Sequence, residues 1–362
     1  MVRVFLGRDA NGRKNYHAKI IRGPRKDAQT YLNGVLRELD LGTFVLPAAT
    51  TLNTYLDHWL ECAARPKVSR RTADGYADLL KRYIREPLGQ KRLDRLKPLD
   101  IQQVYAGMQS KGLGALVIRH AHAVVNSALK QAVKWGLISR NPAEMVELPK
   151  VEHKERRVLS PAEAARFLEA CAEMPRGLIF EFALLTGMRP EEYLAIQWSD
   201  LDVERRSVVV QRALVRHKGA WSFEQTKTAK SRRTIPIPEP LVKKLVEHSH
   251  VQSKERQIAG SLWQHYNLVF CSEVGTPLQI PHITYRYYRP ILEKAELPRI
   301  RLYDLRHSQA TILLMADEHP KVVSERLGHS TTRLTLDTYS HVLPTMQERA
   351  TEKLEKLFYK QD

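Results

Sequence analysis

The stretch LLTGMRPEEYLAI, residues 184–196, contains the signals for one helix ending and another beginning. An apolar run stops at Gly187, and glycine is the residue that most often follows the last turn of a helix. Pro190 suits the first position of the next helix. Arg189 therefore lies at a corner, where its side chain is expected to project between helices, and Glu192 is placed to pair with it. The alternative is an ordinary surface arginine at a turn.

Around this corner, residues 158–345 are expected to form one mixed, mostly helical domain. It opens with SPAEAARFLEAC, in which Ser160, Pro161 and Glu163 have the spacing of a capping box. Strand-like patterns occur in SVVVQRALV, AWSFEQ and RRTIPIP, around residues 207–237, and they predict a small antiparallel sheet. The rest of this domain alternates between helical patterns and short turns.

The amino-terminal residues 1–45 predict a small, separate α+β module. Apolar and polar residues alternate on both sides of an Asn-Gly turn, which is typical of a hairpin. A helix follows, with Leu32, Val35, Leu36 and Leu39 on one side. Because a sheet with one helix this small buries little apolar surface, we expect a docking module rather than a reaction chamber.

Residues 50–140 predict an all-helical domain made of four helices. Thr51 and Ser69 are in position to cap two of them, and the last helix carries a continuous apolar stripe. Residues 141–157 have no apolar period, two prolines and many charges, so we expect a linker there. Residues 346–362 are expected to form a tail helix after the mixed domain. The predicted fold class is therefore multidomain and mainly α.

The overall charge favours an anionic partner. The 362 residues include 58 Lys and Arg against 40 Asp and Glu, a formal net charge of +18. Residues 50–150 contribute +8 of this excess, from 17 basic and 9 acidic side chains. An excess of this size is typical of proteins that bind nucleic acid. The alternative is a basic enzyme with no nucleic-acid partner.

The cysteines and the apolar segments predict where the protein acts. The three cysteines are scattered and lack metal-ligand spacing, so neither disulfides nor a structural zinc site are expected: Cys62, Cys171 and Cys271. No signal peptide is expected at the start, and the most apolar run, residues 177–187, is too short to span a bilayer. We therefore expect a cytoplasmic protein, associated with the nucleoid and without a membrane partner.

A phosphate target narrows the search for chemistry. Phosphoryl transfer without a metal needs guanidinium groups, whose planar forks pair with phosphate oxygens, together with a nucleophile and an acid for the leaving oxygen. The sequence has no convincing cluster of metal ligands, so neither metal nor cofactor is expected. In EQTKTAKSRRTIPIP, Lys227 lies between two predicted strands, in a hairpin from which it could protonate a departing alkoxide. Lys230, Arg232 and Arg233 are expected at the DNA backbone or in solvent.

Two further stretches carry candidate residues. RLYDLRHSQATILLMA opens a helix that contains Arg306, with Tyr303 three residues earlier on the same face. ERLGHS closes a helix at Gly328 and is expected to expose His329. Taken separately, a lysine in an exposed turn and a histidine at a helix end are both commonplace.

The order of the motifs is more specific than any one of them. The chain runs Thr-Gly-x-Arg-x-x-Glu, a lysine hairpin, Asp-Leu-Arg-His, Leu-Gly-His-Ser and Asp-Thr-Tyr-Ser-His. Over roughly residues 158–345, this order resembles the tyrosine recombinases of the phage integrase family. The helical domain and the amino-terminal module agree more weakly with the same family.

The resemblance implies a role for each matched residue. Tyr339 would be the nucleophile that forms a 3′-phosphotyrosyl bond with DNA and releases a 5′-hydroxyl. Arg189 and Arg306 would hold the non-bridging phosphate oxygens. Lys227 would protonate the leaving oxygen, and His329 would hydrogen-bond the phosphate. Such an enzyme would be a metal-independent strand transferase, and Glu192 would support the first arginine.

One position departs from the family pattern. Most relatives have histidine where this chain has Tyr303, and a phenol with a pKa of about 10 is a poor base at neutral pH. We expect Tyr303 to donate a hydrogen bond to the phosphate instead. His307 is a less suitable substitute, because one residue after Arg306 it points about 100° around the helix.

The resemblance also implies partners. The amino-terminal module resembles the arm-type DNA-binding domain of integrases from temperate phages or integrative conjugative elements. Double-stranded DNA at core and arm sites, a homotetramer, a directionality factor and a DNA-bending host protein are the implied partners. The tail would pack on a neighbouring subunit, or else within its own chain. Three alternatives stay open: a type IB topoisomerase-like enzyme, a chromosome-dimer-resolving recombinase, and a catalytically inactive DNA-binding regulator on the same fold.

Overall fold

A computed structural model of the chain describes residues 1–8, 14–40, 50–151, 157–217, 219–225, 232–329 and 331–339, with 351–352, 354–355 and 357–359 of the tail. The chain divides into two compact units, Met1–His153 and Lys154–Asp362. Helices predominate in both, and the described residues form one small antiparallel sheet in the first unit and two in the second. The predicted fold class, multidomain and mainly helical, is confirmed. None of the described helices is long and apolar enough to cross a membrane.

The first unit begins with a two-stranded sheet and one helix. Their bounds are β1 (Val2–Arg8), β2 (Lys14–Lys19) and α1 (Arg25–Asp40). The two strands are antiparallel, as predicted, whereas the Asn-Gly turn falls in residues 9–13, outside the described residues. Val35 of α1 is buried against the sheet, but Leu36 is 43% exposed. The apolar side of α1 is narrower than predicted, because two strands cover only one stripe of the helix.

Five α-helices make the rest of the first unit: α2 (Leu52–Trp59), α3 (Arg70–Leu79), α4 (Arg85–Leu88), α5 (Pro98–Ser110) and α6 (Ala115–Lys134). Single π-helical turns continue α2 and α3. The two predicted caps are confirmed: Thr51 Oγ1 accepts from the Thr54 amide, and Ser69 Oγ accepts from the Thr72 amide, each at 3.3 Å. The apolar stripe of α6 is buried throughout and forms the centre of the helical core.

The segment expected to be a linker begins with ordered structure. Residues Pro142–Met145 form a 3₁₀ turn, and the Asn141 side chain caps it by accepting from the Ala143 amide at 3.0 Å. Gln102 of α5 and the main chain of Glu147 exchange two hydrogen bonds, at 2.9 and 3.3 Å. Side-chain caps and hydrogen bonds to the main chain, rather than a periodic apolar pattern, hold residues 141–148 on the helical core. Residues 152–156 lie outside the described residues.

The second unit contains nine described α-helices: α7 (Pro161–Glu173), α8 (Gly177–Thr186), α9 (Pro190–Tyr193), α10 (Glu239–Ala259), α11 (Ile280–Ile283), α12 (Arg289–Lys294), α13 (Asp304–Met315), α14 (Pro320–Leu327) and α15 (Thr332–Tyr339). The predicted capping box at the start of α7 is confirmed, since Ser160 and Glu163 exchange bonds at 2.9 and 3.2 Å. Nearly every side chain of α8 is buried, so this helix is the centre of the core.

Among the described residues of this unit, five strands form the sheets: β3 (Leu201–Asp202), β4 (Ser207–Val210), β5 (Arg212–His217), β6 (Ala220–Gln225) and β7 (Arg233–Pro236). All pairings are antiparallel, in the orders β3-β4-β7 and β5-β6. The predicted hairpin around Lys227 is therefore wrong in its pairing. Strands β6 and β7 pair with different partners, so residues 226–231 connect two sheets, and Lys227 itself lies outside the described residues.

Candidate active site

Arg306, in the first turn of α13, is the most enclosed of the candidate residues, with 1% of its surface exposed. Its Nη1 donates to the carbonyl oxygen of Gly187 at 2.7 Å, and its Nη2 donates to the carbonyl oxygen of Leu327 at 2.7 Å. These two carbonyls belong to the carboxyl ends of α8 and α14, where carbonyl groups lack helical partners and the helix dipole is negative. Two helix ends therefore stabilise one buried cation.

Two glycines make these helix ends possible. Gly187 and Gly328 both follow the last residue of a helix with φ near +65°, at +65° and +67°. A Cβ at position 187 would lie 2.5 Å from Oε1 of Gln309, and one at position 328 would lie 2.9 Å from Nη1 of Arg233. Both the left-handed conformation and the lack of space require glycine at these turns.

Arg189 caps the start of α9 and pairs with Glu192 in the way that the spacing predicts. Its Nη1 donates to Glu192 Oε1 at 2.7 Å, while its main-chain amide donates to Glu192 Oε2 at 2.9 Å. Burial alone would lower the pKa of Arg189, but the charge and hydrogen bond of Glu192, together with an interaction with Tyr303, raise it above its ordinary value. The guanidinium is thus a fixed cation at the corner between α8 and α9.

Arg233 is placed differently from its prediction. The sequence pattern puts it at the DNA backbone or in solvent, but only 6% of its side chain is exposed. Its Nη2 donates to Glu192 Oε2 at 2.8 Å, and its Nε donates to the carbonyl oxygen of Arg326 at 2.7 Å. The alternating pattern in RRTIPIP could have predicted this burial, because Arg233 lies on the same strand face as the buried residues Ile235 and Ile237. Arg232 is exposed, in agreement with its prediction.

His329 follows Gly328 and is half-buried, where the sequence pattern predicts an exposed ring. The difference arises because α15 packs on α14 and places the buried Thr335 hydroxyl 2.7 Å from His329 Nδ1. Burial, and then the nearby charges of Arg306 and Arg189, lower the pKa of His329 to about 3. The ring is therefore neutral at neutral pH. With the hydroxyl donating to Nδ1, the ring proton lies on Nε2, which can donate to an anion.

Among its described side chains, the cluster carries more positive than negative charge. These include the carboxylate of Glu192 and the guanidinium groups of Arg189, Arg233 and Arg306. Burial would raise the pKa of Glu192, but the hydrogen bond and charge of Arg233, with those of Arg189, hold it below its usual range. Burial and the charge of Arg189 lower the pKa of Arg306. An anion bound between these side chains would counteract the lowering of the Arg306 pKa, because it would stabilise the charged guanidinium.

Tyr303 immediately precedes α13 and is 39% exposed, so its hydroxyl is accessible beside Arg189. Its ring centroid lies 5.5 Å from that of His307, which is buried one turn further along the helix. The two remaining candidates are only partly placed. Tyr339 is the last residue of α15, but its side chain lies outside the described residues, as does all of Lys227.

Within the described ranges, no three His, Cys, Asp or Glu side chains converge as a metal site would require. The hydrogen-bonding capacity of the cluster comes from guanidinium N–H groups, an imidazole and a phenol. Such donors bind the oxygens of a phosphate or another oxyanion rather than a cation. The arrangement is therefore chemically suited to hold a phosphodiester.

Two family models match the chain. The model described as "Phage integrase family" matches residues 157–346, which is more than half of the chain. The model described as "Phage integrase, N-terminal SAM-like domain" matches residues 51–109. The two matched segments lie in different units of the structure.

Curated relatives extend over most of the chain. A XerC-like tyrosine recombinase of Caldanaerobacter subterraneus subsp. tengcongensis is 28% identical, over 99% of this chain and 96% of that protein. The integrase of Mycobacterium phage L5 is 26% identical, over 94% and 91%. The alignment with the XerC-like relative extends into residues 1–45 as well as over the later segments.

Solved structures share the fold. The Tn1549 transposon integrase in complex with a circular intermediate DNA superimposes with a TM-score of 0.71 at 21% identity, over 83% of this chain and 100% of that chain. A lambda integrase tetramer bound to a Holliday junction gives a TM-score of 0.58 at 20% identity, over 91% and 90%. From the family match and the motif order together, the chain belongs to the phage integrase family and is a site-specific tyrosine recombinase that acts on DNA.

Proposed function

We propose that this recombinase cleaves and rejoins duplex DNA through a 3′-phosphotyrosyl intermediate, and that it integrates or excises a mobile element. The observation that carries the proposal is the surplus of buried guanidinium charge around Arg306, whose fork is already held by the carbonyls of Gly187 and Leu327. A cation that is buried without an equal counter-charge is costly unless a ligand supplies one. A phosphodiester has the charge and the oxygens to do so.

The two arginines would stabilise the reacting phosphate. Arg189 and Arg306 donate to its non-bridging oxygens, and their contribution grows as negative charge accumulates on the pentavalent phosphorus. Because Arg306 is already oriented by two main-chain oxygens, little reorganisation is needed when the DNA binds. Removing one such donor costs about 3 kcal/mol, on the order of a hundredfold in rate.

The bond changes balance without a cofactor. Tyr339 gives up its phenolic proton to solvent as its oxygen forms a bond to phosphorus, and the bond from phosphorus to the 5′-oxygen breaks. Lys227 gives a proton to that leaving oxygen, and neutral His329 donates a hydrogen bond to the phosphate from Nε2. The phosphotyrosyl ester retains the energy of the cleaved bond, so a 5′-hydroxyl from either strand can reverse the step. Tyr303 donates a further hydrogen bond to the phosphate and is not required as a base.

The proposed function also implies an assembly and partners. Lambda integrase, whose fold this chain shares, has been crystallised as a dimer on a core site and as a tetramer on a Holliday junction. We propose a homotetramer on core sites, with residues 1–45 bound at arm sites. A directionality factor and a DNA-bending host protein would choose between integration and excision at the nucleoid. Exposed Leu354, Leu357 and Phe358 in the tail would pack on a neighbouring subunit.

The test begins with the DNA that flanks the gene, where an integrated element leaves repeated ends. Duplexes of those ends, nicked close to the cleavage position, lose the 5′-hydroxyl fragment after cleavage and trap the covalent complex. We expect an adduct that migrates as protein joined to DNA with the native chain and none with Tyr339→Phe. Absence of any adduct with the native chain would support an inactive DNA-binding regulator instead.

A second assay separates recombination from relaxation. Two plasmids, or one plasmid with two sites, are expected to yield recombinant products when incubated with the native protein. Relaxation of a supercoiled plasmid without recombinant products would support the type IB topoisomerase-like alternative. Products formed only as deletions between directly repeated sites in multimeric DNA would support a chromosome-dimer-resolving enzyme.

A further inference from the structure

Arg233 contacts two of the segments that carry candidate residues. Through Nη2 it holds Glu192, which in turn fixes the Arg189 guanidinium. Through Nε it holds the carbonyl oxygen of Arg326, in the last turn before His329. Its own main chain starts β7, immediately after the segment that contains Lys227.

The position of Arg233 is itself well determined. In the β4–β7 ladder it is the partner of Val210, a fully buried residue of β4. The side chain then runs beneath the turn at Gly328, where the glycine Cα leaves no room for a Cβ against the guanidinium. A residue so enclosed cannot move to meet DNA without opening the core. Its function must therefore be exercised through its neighbours.

We propose that Arg233 is a positioning residue, which sets the Arg189 corner and the His329 turn relative to each other. The inference rests on the proposed function, because it assigns these two segments to one reaction. It goes further, because the family resemblance assigns no role in the reaction to this arginine.

The guanidinium shape matters more than its charge. A planar fork donates from Nη2 to a carboxylate and from Nε to a carbonyl in different directions at once. Lysine has the same charge but only one side-chain nitrogen. It can donate to the Glu192 carboxylate or to the Arg326 carbonyl, but it cannot reproduce the geometry of both hydrogen bonds at once. Displacing a catalytic donor by about 1 Å can cost on the order of a hundredfold in rate.

A matched control exists in the same unit. Arg212 Nη1 pairs with the fully buried carboxylate of Asp200 at 2.7 Å and also donates to Gln197 Oε1 at 2.7 Å. It is thus another enclosed arginine that donates to a carboxylate and to a second acceptor. None of its hydrogen-bond partners is a candidate catalytic residue.

The experiment compares Arg233→Lys with Arg212→Lys in the full chain, by single-turnover cleavage of the nicked duplex at saturating DNA. We expect Arg233→Lys to cleave about tenfold to a hundredfold more slowly, with its apparent KM for DNA unchanged. Arg212→Lys is expected to melt at a lower temperature but to cleave at the native rate. Equal rates for the two variants would overturn the proposal.

A substrate change provides a readout that general loss of stability does not affect. Replacing one non-bridging oxygen of the scissile phosphate by a methyl group removes the charge that the arginines stabilise. If Arg233 acts through Arg189, Arg233→Lys should slow cleavage of this neutral substrate by a smaller factor than it slows cleavage of the natural phosphate. The same penalty on both substrates would show that Arg233 supports the fold alone.

Two further measurements keep the outcomes distinct. Should Arg233→Lys fail to fold, the double variant Arg233→Gln with Glu192→Gln removes both charges together and preserves hydrogen bonding. It is expected to fold and to cleave slowly, and native-rate cleavage by it would overturn the inference. Failure of the proposed function is recognised separately, because then the native chain itself forms no covalent adduct.

Discussion

Two sets of ion pairs with buried carboxylates in the second unit have similar distances but different charge balance. In the first set, Lys244 lies 2.8 Å from both carboxylate oxygens of Glu181, and Arg212 lies 2.7 Å from a carboxylate oxygen of Asp200. Each cation there faces one carboxylate. In the second set, within the described residues, one carboxylate, that of Glu192, pairs with both Arg189 and Arg233, and Arg306 donates to main-chain carbonyls.

The difference separates structural from functional use of the same side chains. Balanced pairs satisfy their charges within the fold, so they contribute to specific packing and need nothing from outside. The surplus at Arg306 is stabilised by carbonyl dipoles, which compensate for desolvation but do not neutralise the charge. Positive charge held this way is available to an incoming anion. The surplus positive charge at Arg306 therefore points to the same site as the sequence motifs do.

The largest effect is expected from changing the cation that rests on carbonyls. Arg306→Lys cannot bond both Gly187 and Leu327 while also presenting a fork to phosphate, so cleavage should slow by at least about a hundredfold. Single-turnover formation of the covalent adduct on the nicked duplex measures this loss. A rate close to that of the native protein would show that the surplus charge has no role in the reaction.

The corresponding change in a balanced pair should affect stability instead. Lys244→Gln leaves the Glu181 carboxylate buried without its cation, and we expect the free energy of unfolding to fall by about 1–2 kcal/mol, given that Lys244 is partly exposed. Urea denaturation measures the loss. The cleavage rate at a temperature where both proteins are folded should stay at the native value, and a slowed reaction would break the distinction between the two sets.

A smaller effect is expected beside the surplus charge, at Tyr303. Removing its hydroxyl in Tyr303→Phe takes away one hydrogen bond to the phosphate, which corresponds to about tenfold in rate. The nicked duplex is again the substrate. Unchanged cleavage would show that the hydroxyl does nothing, and a loss as large as that of Arg306→Lys would make Tyr303 an essential group.

Without DNA, the surplus charge should be detectable as anion binding. Sulfate at several times its dissociation constant should raise the melting temperature of the native protein by about 2–4 °C more than that of Arg306→Gln. Chloride at matched ionic strength controls for screening, and the variant controls for the general stabilising effect of sulfate. Identical shifts in both proteins would mean that the cluster holds no anion site.

The smallest effect is a dependence of stability on pH that originates at His329. Its pKa in the folded protein is about 3, against about 6.5 when unfolded, so the unfolded state takes up the proton first. Stability is therefore full above pH 6.5 and declines as the pH falls towards 3. Between pH 6.5 and 5, urea denaturation should show a larger loss for the native protein than for His329→Gln.

The difference between the native protein and His329→Gln isolates the contribution of His329 to the pH dependence of stability. His122 and His248 also have pKa values lowered, chiefly by burial, and both are present in the native and variant chains. Their contributions cancel in the difference. Parallel losses in the two proteins would indicate that burial and the neighbouring guanidinium groups do not lower the pKa of His329.

Short-range signals predicted much of this structure. The caps at Thr51, Ser69 and Ser160 form because a side chain and an amide three residues later are adjacent in any helix start. The pairing of Arg189 with Glu192 has the same local origin. Helix and strand positions followed from apolar periodicity in the same way, because periodicity reports which face is buried.

Contacts between distant segments could not be read from spacing. The carbonyls that hold Arg306 lie 119 and 21 residues away in the chain, and main-chain acceptors have no residue type to recognise. The burial of His329 depends on α15 folding back over α14, and the partner of Arg233 comes from a helix 41 residues earlier. The sequence also did not predict that β6 and β7 pair with different strands. The pattern of each strand is equally compatible with a hairpin between the two.

The support of Arg306 by main-chain oxygens has an evolutionary consequence. Every residue type brings the same carbonyl, so replacing Leu327 by another apolar residue leaves the acceptor in place. Neighbouring side chains, including those that meet DNA bases, are free to diverge without displacing the guanidinium. If Arg306 receives the phosphate, lineages can thus acquire new target sequences without moving that position, and libraries for altered specificity should keep Gly187 and Gly328 together with the proposed catalytic residues.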